Sequence, residues 1–527
     1  MTNEQKYIKN LYKGYMIPPD KIPLIVSNTA LAGYFFGEEG LAVVSFLMPV
    51  FFLFETIGFW INYGAFAKSI EAVSNNETEL ARSFSSIALI LSVISGVIIS
   101  IAVISSFDSL IEFLEIPIAL RQMANDYGIM MAICGMILVI ASYCWQFVKM
   151  IGLQAMIRKI YIFIMIVDAL IAIACIKIFN LGIVSLAFGM IGALLFVILM
   201  SGLWFSKTFK KNLFGEIKNP VKSIIEIIIA GSSASLGKFY SLFIVFFFNI
   251  LILKTIGVSG VAAFATIQIA VRICRLHSQV TWQPILPILT MEFADRNAPS
   301  ISLLFKHSLK QAIIMAALPA IVIYFGVSLG YFVDPSDQFA VESFKAYSLS
   351  VIFAAINSTF IIWYSVINHK ILSNVFEVLR SLVLILVFIA LAEPSAMFYS
   401  FLFAESIVLI LILISWLMIK KPVEESIFFV VDRQAGLTED DRNKINDQKL
   451  IDFISEWIKI VRQFSDTGKN DFMSIHLSNN ALTIRSTGKL FDYSENDQAK
   501  ALIKHFGFTN CKCTYTLGLN NLYLKLS

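Results

Sequence analysis

Gly37-Glu38-Glu39-Gly40-Leu41-Ala42 near the start of the chain and Gly257-Val258-Ser259-Gly260-Val261-Ala262 past its middle are two copies of one turn, 220 residues apart at both glycines and at the alanine. Each copy closes one apolar stretch and opens the next. A polar break follows at nearly the same offset, Ser74-Asn75-Asn76-Glu77 in the first half and Asp295-Arg296-Asn297-Ala298 in the second. A repeat on this scale means one helical bundle built twice.

The composition says where that bundle lives. Hydrophobic residues fill 57% of the 527 positions and charged ones 15%, with a mean hydropathy of +0.77. A soluble chain of this length has too little interior to hide so much apolar surface, so most of it belongs in lipid. The first twenty residues carry Lys6, Lys9, Lys13 and Asp20 and lack the apolar core and small-residue cleavage site of a signal peptide, so the N-terminus is expected on the cytoplasmic side. A net charge of +4 is too small to argue for nucleic acid. Of six cysteines, Cys134, Cys144, Cys175 and Cys274 sit inside apolar segments, the pattern of small buried hydrophobes. Cys511 and Cys513 form a lone CxC with no nearby His or Cys to complete a tetrahedral set, so no metal site is expected. The chain has no Walker loop and no soluble-enzyme motif, so neither a primary ATP-driven pump nor an enzyme is expected.

A spanning helix needs about 20 apolar residues. On that measure twelve spans precede residue 420, near 16–36, 41–66, 83–106, 127–149, 157–179, 181–206, 222–254, 257–291, 304–331, 345–368, 369–392 and 396–419. Lys68, Arg82, Lys149, Arg158, Lys159, Lys207, Lys210, Lys211, Lys218 and Lys222 fall on connections after even-numbered spans, whereas Glu38, Glu39, Asp108, Glu112, Glu115, Asp334 and Asp337 fall on the others. The positive-inside rule then places the even side, and both termini, in the cytoplasm. The expected organisation is an N-lobe of six spans over residues 1–206, a basic inter-lobe loop over 207–222, a C-lobe of six spans over 223–420, and a small cytoplasmic α+β domain over 421–527. In that last part Ser474-Ile475-His476-Leu477 and Leu522-Tyr523-Leu524-Lys525-Leu526 alternate as half-buried strands do, and Leu450, Ile451, Ile454, Trp457, Ile458 and Val461 recur at helical spacing.

Ionisable groups inside a bilayer are costly, so each is a functional candidate. They are Glu55, Asp168, Lys238, Arg272, Arg275, His277, Glu377, Arg380 and Glu405. Lys238 and Arg380 lie near expected membrane edges and would snorkel. Glu377 and Arg380, three apart on one helix, would pair with each other. Arg272 and Arg275 share a helix face that would line a central cavity. Glu55, Asp168 and Glu405 are single carboxylates in apolar surroundings, suited to reversible protonation.

Several short features stand in a specific order: the Gly37-x-x-Gly40-Leu-Ala42 turn followed by Pro49, Gly64 leading to Ser74-Asn-Asn-Glu77 and Glu79-Leu-Ala81-Arg82, Gly182-Ile183, Asn249, Gly257-x-x-Gly260-Val-Ala262, Pro284 and Pro287, and Ala404-Glu405. Together they resemble the multidrug and toxic compound extrusion (MATE) transporters over roughly residues 10–420. The resemblance implies a polytopic α-helical membrane protein of twelve helices in two six-helix lobes in a bacterial plasma (inner) membrane. It further implies a central cavity with Asn28, Glu55, Asp168, Asn249, Arg272, Arg275 and Glu405 as candidate substrate or ion residues, and antiport of cationic or amphipathic small molecules by alternating access. Na+ or H+ would be the coupling ion, and no other cofactor is implied. Many bacterial members carry an intramembrane Asp five residues before the first of two glycines; with Gly33 and Gly37 as those glycines, the matching residue here is Asn28, which does not titrate. Coupling must then use another carboxylate, with Glu55 taken before Asp168 or Glu405.

Ile484-Arg-Ser-Thr-Gly488-Lys-Leu-Phe491-Asp492 followed by Tyr515-x-Leu-Gly518-Leu-Asn520-Asn521-Leu522 resembles the end of the histidine-kinase-like ATPase fold, in its anti-sigma serine-kinase branch. That resemblance implies an Asp before the glycine to read adenine and a Glu-x-x-x-Asn helix to hold Mg2+. Ser486 stands at the Asp position before Gly488, Glu456 matches the Glu, and Ile460 stands where the Asn would be. A domain without ATP binding, used for contacts with a cytoplasmic protein partner, is the expectation. Two alternatives accompany the exporter: a membrane sensor or signalling scaffold on a transporter fold, and a lipid-linked sugar flippase, which a basic cavity at Arg272, Arg275 and His277 would favour.

Overall fold

The computed structural model describes residues 22–74, 77–150, 154–208, 215–217, 219–255, 257–266, 268, 289, 292, 298–329, 338–366, 369–391, 399–418, 427–432, 437–445, 447–462, 472–478, 481–487, 496–508, 511–516 and 519–525. The repeated turn sets its geometry. Gly37 lies at φ 63° inside the long helix α1 (Ile22–Ser74), and Gly257 lies at φ 94° after α7 (Pro220–Thr255). Left-handed φ costs an L-residue steric strain that glycine avoids. Nothing lies within 4 Å of a Cβ built at either position, so conformation alone makes glycine necessary at both. The first and second expected spans are therefore two limbs of α1, bent at Gly37.

The remaining spans follow the hydropathy. The N-lobe continues with α2 (Thr78–Ser105), the short α3 (Phe107–Phe113), α4 (Ile118–Met150), α5 (Gln154–Lys177) and α6 (Val184–Thr208). The C-lobe contains α7, a helical stretch at 258–266, α8 (Ala298–Ser328), α9 (Gln338–Val366), α10 (Lys370–Val378), a π-helical turn (Leu379–Val383), α11 (Leu384–Leu391) and α12 (Tyr399–Met418). α10, the π turn and α11 form the expected eleventh span, while most of the eighth lies outside the described residues. Ile98, Leu170, Leu199, Leu318 and Ile410 are exposed on these helices. Large aliphatic side chains turned outward on successive long apolar helices have lipid as their solvent, and the chain is a multi-pass membrane protein.

The C-terminal domain is a five-stranded antiparallel sheet in the order β1 (Ile427–Asp432), β2 (Phe472–Ser478), β3 (Ala481–Thr487), β5 (Leu519–Lys525), β4 (Cys511–Thr516). It carries helices α13 (Glu439–Asn443), α14 (Gln448–Arg462) and α15 (Asp497–His505). Thr438 and Asp441 close a reciprocal capping box that starts α13. Alternation gives the sheet an apolar face, on which Phe429, Val431, Met473, Ile475, Leu482, Ile484, Leu522 and Leu524 meet Phe453, Ile454, Trp457 and Ile458 of α14.

The opposite face departs from the half-exposed strands that alternation predicts. Ser474, His476, Thr483 and Arg485 on β2 and β3 are each at most 5% exposed. On β1, Val430 belongs to an aromatic cluster at one end of the bundle, with Phe66, Phe305, Trp363 and Trp416. The membrane part therefore covers the second face of the sheet. The bundle has a domain end, marked by this cluster, and a far end, marked by Gly37 and Gly257.

Candidate functional site

The lobes meet along an antiparallel seam between the second limb of α1 and α7. Toward the far end, Ser45 Oγ donates to Asn249 Oδ1 at 3.0 Å and Asn249 Nδ2 donates to the Ser45 carbonyl at 2.6 Å. Midway, Lys238 pairs with Glu55 and lies 4.4 Å over the Phe59 ring. Nearer the domain end, Trp60 Nε1 donates to the Ile228 carbonyl at 2.8 Å. A Cβ at Gly64 would lie 2.0 Å from the Ile227 carbonyl oxygen, and one at Gly231 would lie 2.1 Å from that of Trp60. Only two glycines let the helix backbones approach so closely. Toward the far end α7 makes two more cross-lobe contacts, Lys254 with Glu115 at 2.8 Å and Phe246 stacked on Phe113 at 5.4 Å. A small pocket at the seam is lined by Thr29, Ser45, Met48, Val245, Ala265 and Gln268. These contacts join the lobes at points from Ile227 to Lys254 of α7.

Asn28 and Asp168 lie in the same part of the N-lobe, both near Tyr127. Asn28 is 1% exposed; its Nδ2 donates to the Leu186 carbonyl at 3.0 Å, and its Oδ1 accepts from the Tyr127 hydroxyl at 2.8 Å. The amide thus ties α1 to α4 and α6. A carboxylate in its place would face the Leu186 carbonyl without a proton to give it. Asp168, on α5, is fully buried, and neither carboxylate oxygen makes a hydrogen bond of ordinary geometry among the described residues, although the Ser27 hydroxyl is close enough to interact with it. Its charge also acts on Tyr127 and Cys134 of α4. Gly189 of α6 packs against it, since a Cβ there would come within 2.8 Å of Asp168 Oδ1. Among the described residues no cation pairs with Asp168.

The C-lobe carboxylates are arranged differently. Arg380 Nε and Nη2 donate to the two oxygens of Glu377 at 2.8 and 3.2 Å, and its Nη1 reaches Glu405 at 3.3 Å. Asn357 of α9 donates to both the carbonyl and the carboxylate of Glu405, each at 2.8 Å. Ser381 adds a bond to Glu377 at 3.1 Å. Arg380 sits in the π turn Leu379–Val383, whose extra residue re-aims side chains along the helix. Glu377 and Arg380 do pair, as their spacing suggests, but Arg380 points into the lobe to Glu405 instead of snorkelling. Arg and two carboxylates leave this network one negative charge in excess.

Not every sequence candidate joins a site. Glu55 is spent on the seam with Lys238. Asn249 serves the Ser45 clasp. Arg272, Arg275 and His277 lie outside the described residues, as does Gly488. In the C-terminal domain Glu456 points to solvent from the outer side of α14, paired with Lys459 at 2.5 Å, whereas Ser486 is buried on β3. The two are not brought together, and apolar side chains fill the space between α14 and the sheet. The residues that sequence reasoning missed are Ser27, Ser45, Tyr127, Gly189 and Asn357. Tyr and Asn inside apolar spans were the available signals, but their partners lie tens to hundreds of residues away.

The membrane part matches solved structures across nearly their whole length. An inward-facing multidrug resistance MATE family transporter of the MOP superfamily superposes with a TM-score of 0.63 at 16% identity, covering 77% of this chain and 97% of that one. The fold is that of the MATE transporters. An outward-facing structure with the same description gives 0.62 at 16% identity, over 79% and 96%. An aspartate-to-asparagine variant of the Vibrio cholerae MATE transporter VcmN gives 0.64 at 13% identity, over 79% and 98%. The matched share is close to that of the chain before residue 421. No model of a known protein family matches the chain, and no curated protein matches it in sequence.

Proposed function

We propose that this chain is a secondary active exporter of cationic or amphipathic small molecules that works by alternating access, with Asp168 as the coupling carboxylate. The observation that carries this reading is that Asp168 is fully buried with no cation paired to it among the described residues. A lone carboxylate buried among apolar helices is expensive, and a proton or a Na+ ion would neutralise it. Ser27, Asn28 and Tyr127 provide polar atoms from two other helices around it. Ion occupancy there would change the packing of α1 against α4, α5 and α6, and α1 also forms the seam with α7. That connects an ion site to the surface along which two lobes would rock. Proteins of the same fold have been solved both inward-facing and outward-facing. In this reading Glu55 is a seam residue, and the domain end of the bundle faces the cytoplasm.

The Glu377–Arg380–Glu405 network supports a second ion locus in the C-lobe, because Asn357 Oδ1 is buried there without a hydrogen-bond partner among the described residues. A sensor or scaffold is the second functional reading, favoured by the docked C-terminal domain. Proteoliposomes separate the two: an exporter accumulates ethidium under an imposed H+ or Na+ gradient, and a sensor binds it without gradient-dependent flux.

A further inference from the structure

The sheet of the C-terminal domain is buried on both faces, and it reaches both lobes from its two edges. β1 packs on α8 of the C-lobe, and β4, at the opposite edge, packs on α1 of the N-lobe. Five strands at the usual spacing cover roughly 19 Å from edge to edge, enough to bridge the seam. Between the edges lies the polar face of Ser474, His476, Thr483 and Arg485. An antiparallel sheet with one apolar and one polar face normally leaves the polar one to water. Here the polar face is covered, and Arg485 forms an ion pair with Glu292, which precedes α8 and is 1% exposed. A buried pair of this kind is poor glue compared with apolar packing, yet breaking one side strands the other charge. That property suits a contact that is either fully docked or fully released and rehydrated.

We propose that the C-terminal domain is an autoinhibitory clamp across the domain end of the two lobes, latched by Arg485 and Glu292, and that it must come off before that end of the bundle opens. Alternating access requires the lobes to separate at one end at a time. At the domain end, separation carries α1 and α8 apart, and a rigid sheet anchored to both cannot follow both. Either the contact of β1 with α8, where Val430 shares a cluster with Phe305 and Trp416 of the C-lobe and Phe66 of the N-lobe, or the β4 contact with α1 must break. The consequence for export rests on the transporter reading above; the clamp itself is a statement about conformation.

The test uses the full-length chain in nanodiscs with a donor and an acceptor fluorophore at Glu71 of α1 and Lys306 of α8, read by single-molecule energy transfer. The expected result is a short-distance population in the unmodified protein and a long-distance population that rises about tenfold or more in Arg485→Glu and in Glu292→Arg. The charge-swapped double variant returns to the short distance. Unchanged distances in both single variants overturn the clamp, and so does a long-distance population that the swap fails to reverse, because that would reflect damage to the domain. Ethidium flux measured on the same variants keeps the two readings apart: distances that respond while no variant shows flux would leave the clamp standing and remove the exporter.

Discussion

The two lobes repeat one fold and treat buried charge in opposite ways. In the N-lobe Asp168 is fully buried with no cation paired to it among the described residues. In the C-lobe Glu377 and Glu405 share Arg380, and Asn357 and Ser381 satisfy further oxygens. The shared turns at Gly37 and Gly257 show that the backbone duplication has been kept. The difference teaches that internal symmetry transmits architecture but not chemistry: the N-lobe buries a carboxylate with no described cation beside it, and the C-lobe sets one fixed cation between two carboxylates.

Breaking the C-lobe side should have the largest effect on stability. Arg380→Met leaves two carboxylates close together without their cation and should cost about 3–5 kcal/mol, seen as a large drop in the thermal unfolding midpoint of the detergent-solubilised protein. Asp168→Asn should leave that midpoint unchanged or raise it, since it removes an unpaired buried charge. Equal losses in the two variants would erase the contrast between the lobes. Next in size is the seam. Gly64→Ala or Gly231→Ala pushes a methyl into the backbone of the facing helix and should cost about 1–3 kcal/mol, with a longer distance across the lobes in the same energy-transfer assay. Glu55→Gln leaves Lys238 without its partner at a cost of about 1–2 kcal/mol, and adding Lys238→Met should recover most of it. Independent losses that simply add would argue that Glu55 faces something other than Lys238. The smallest effects test the symmetry itself: Gly37→Ala and Gly257→Ala should each cost about 1 kcal/mol through strained φ alone, and alike, because neither site is crowded.

The architecture was legible because it depends on local signals. Hydropathy fixed the spans, and two glycines at equal offset marked turns that need left-handed backbone. The alternation around Ile475 and Leu524 likewise located strands. What sequence could not reveal were pairings across long separations. Glu55 meets Lys238 183 residues away, and Arg485 meets Glu292 across a comparable gap. From sequence Glu55, Asp168 and Glu405 are all single acids in apolar helices, with nothing local to say which of them has a partner. Only tertiary placement distinguishes Asp168, the one with no cation beside it among the described residues. The same holds for the polar face of the sheet, where serine, histidine, threonine and arginine at alternate positions read as solvent-facing. The lobes that cover them are remote in the chain.

The exporter account is tested most directly by gradient-driven uptake of ethidium into proteoliposomes containing the unmodified chain or Asp168→Asn, with H+ and Na+ gradients imposed separately. The account predicts flux in the unmodified protein under at least one gradient, and its loss in Asp168→Asn without loss of thermal stability. Full flux in Asp168→Asn, or no gradient-dependent flux in the unmodified chain, would contradict it.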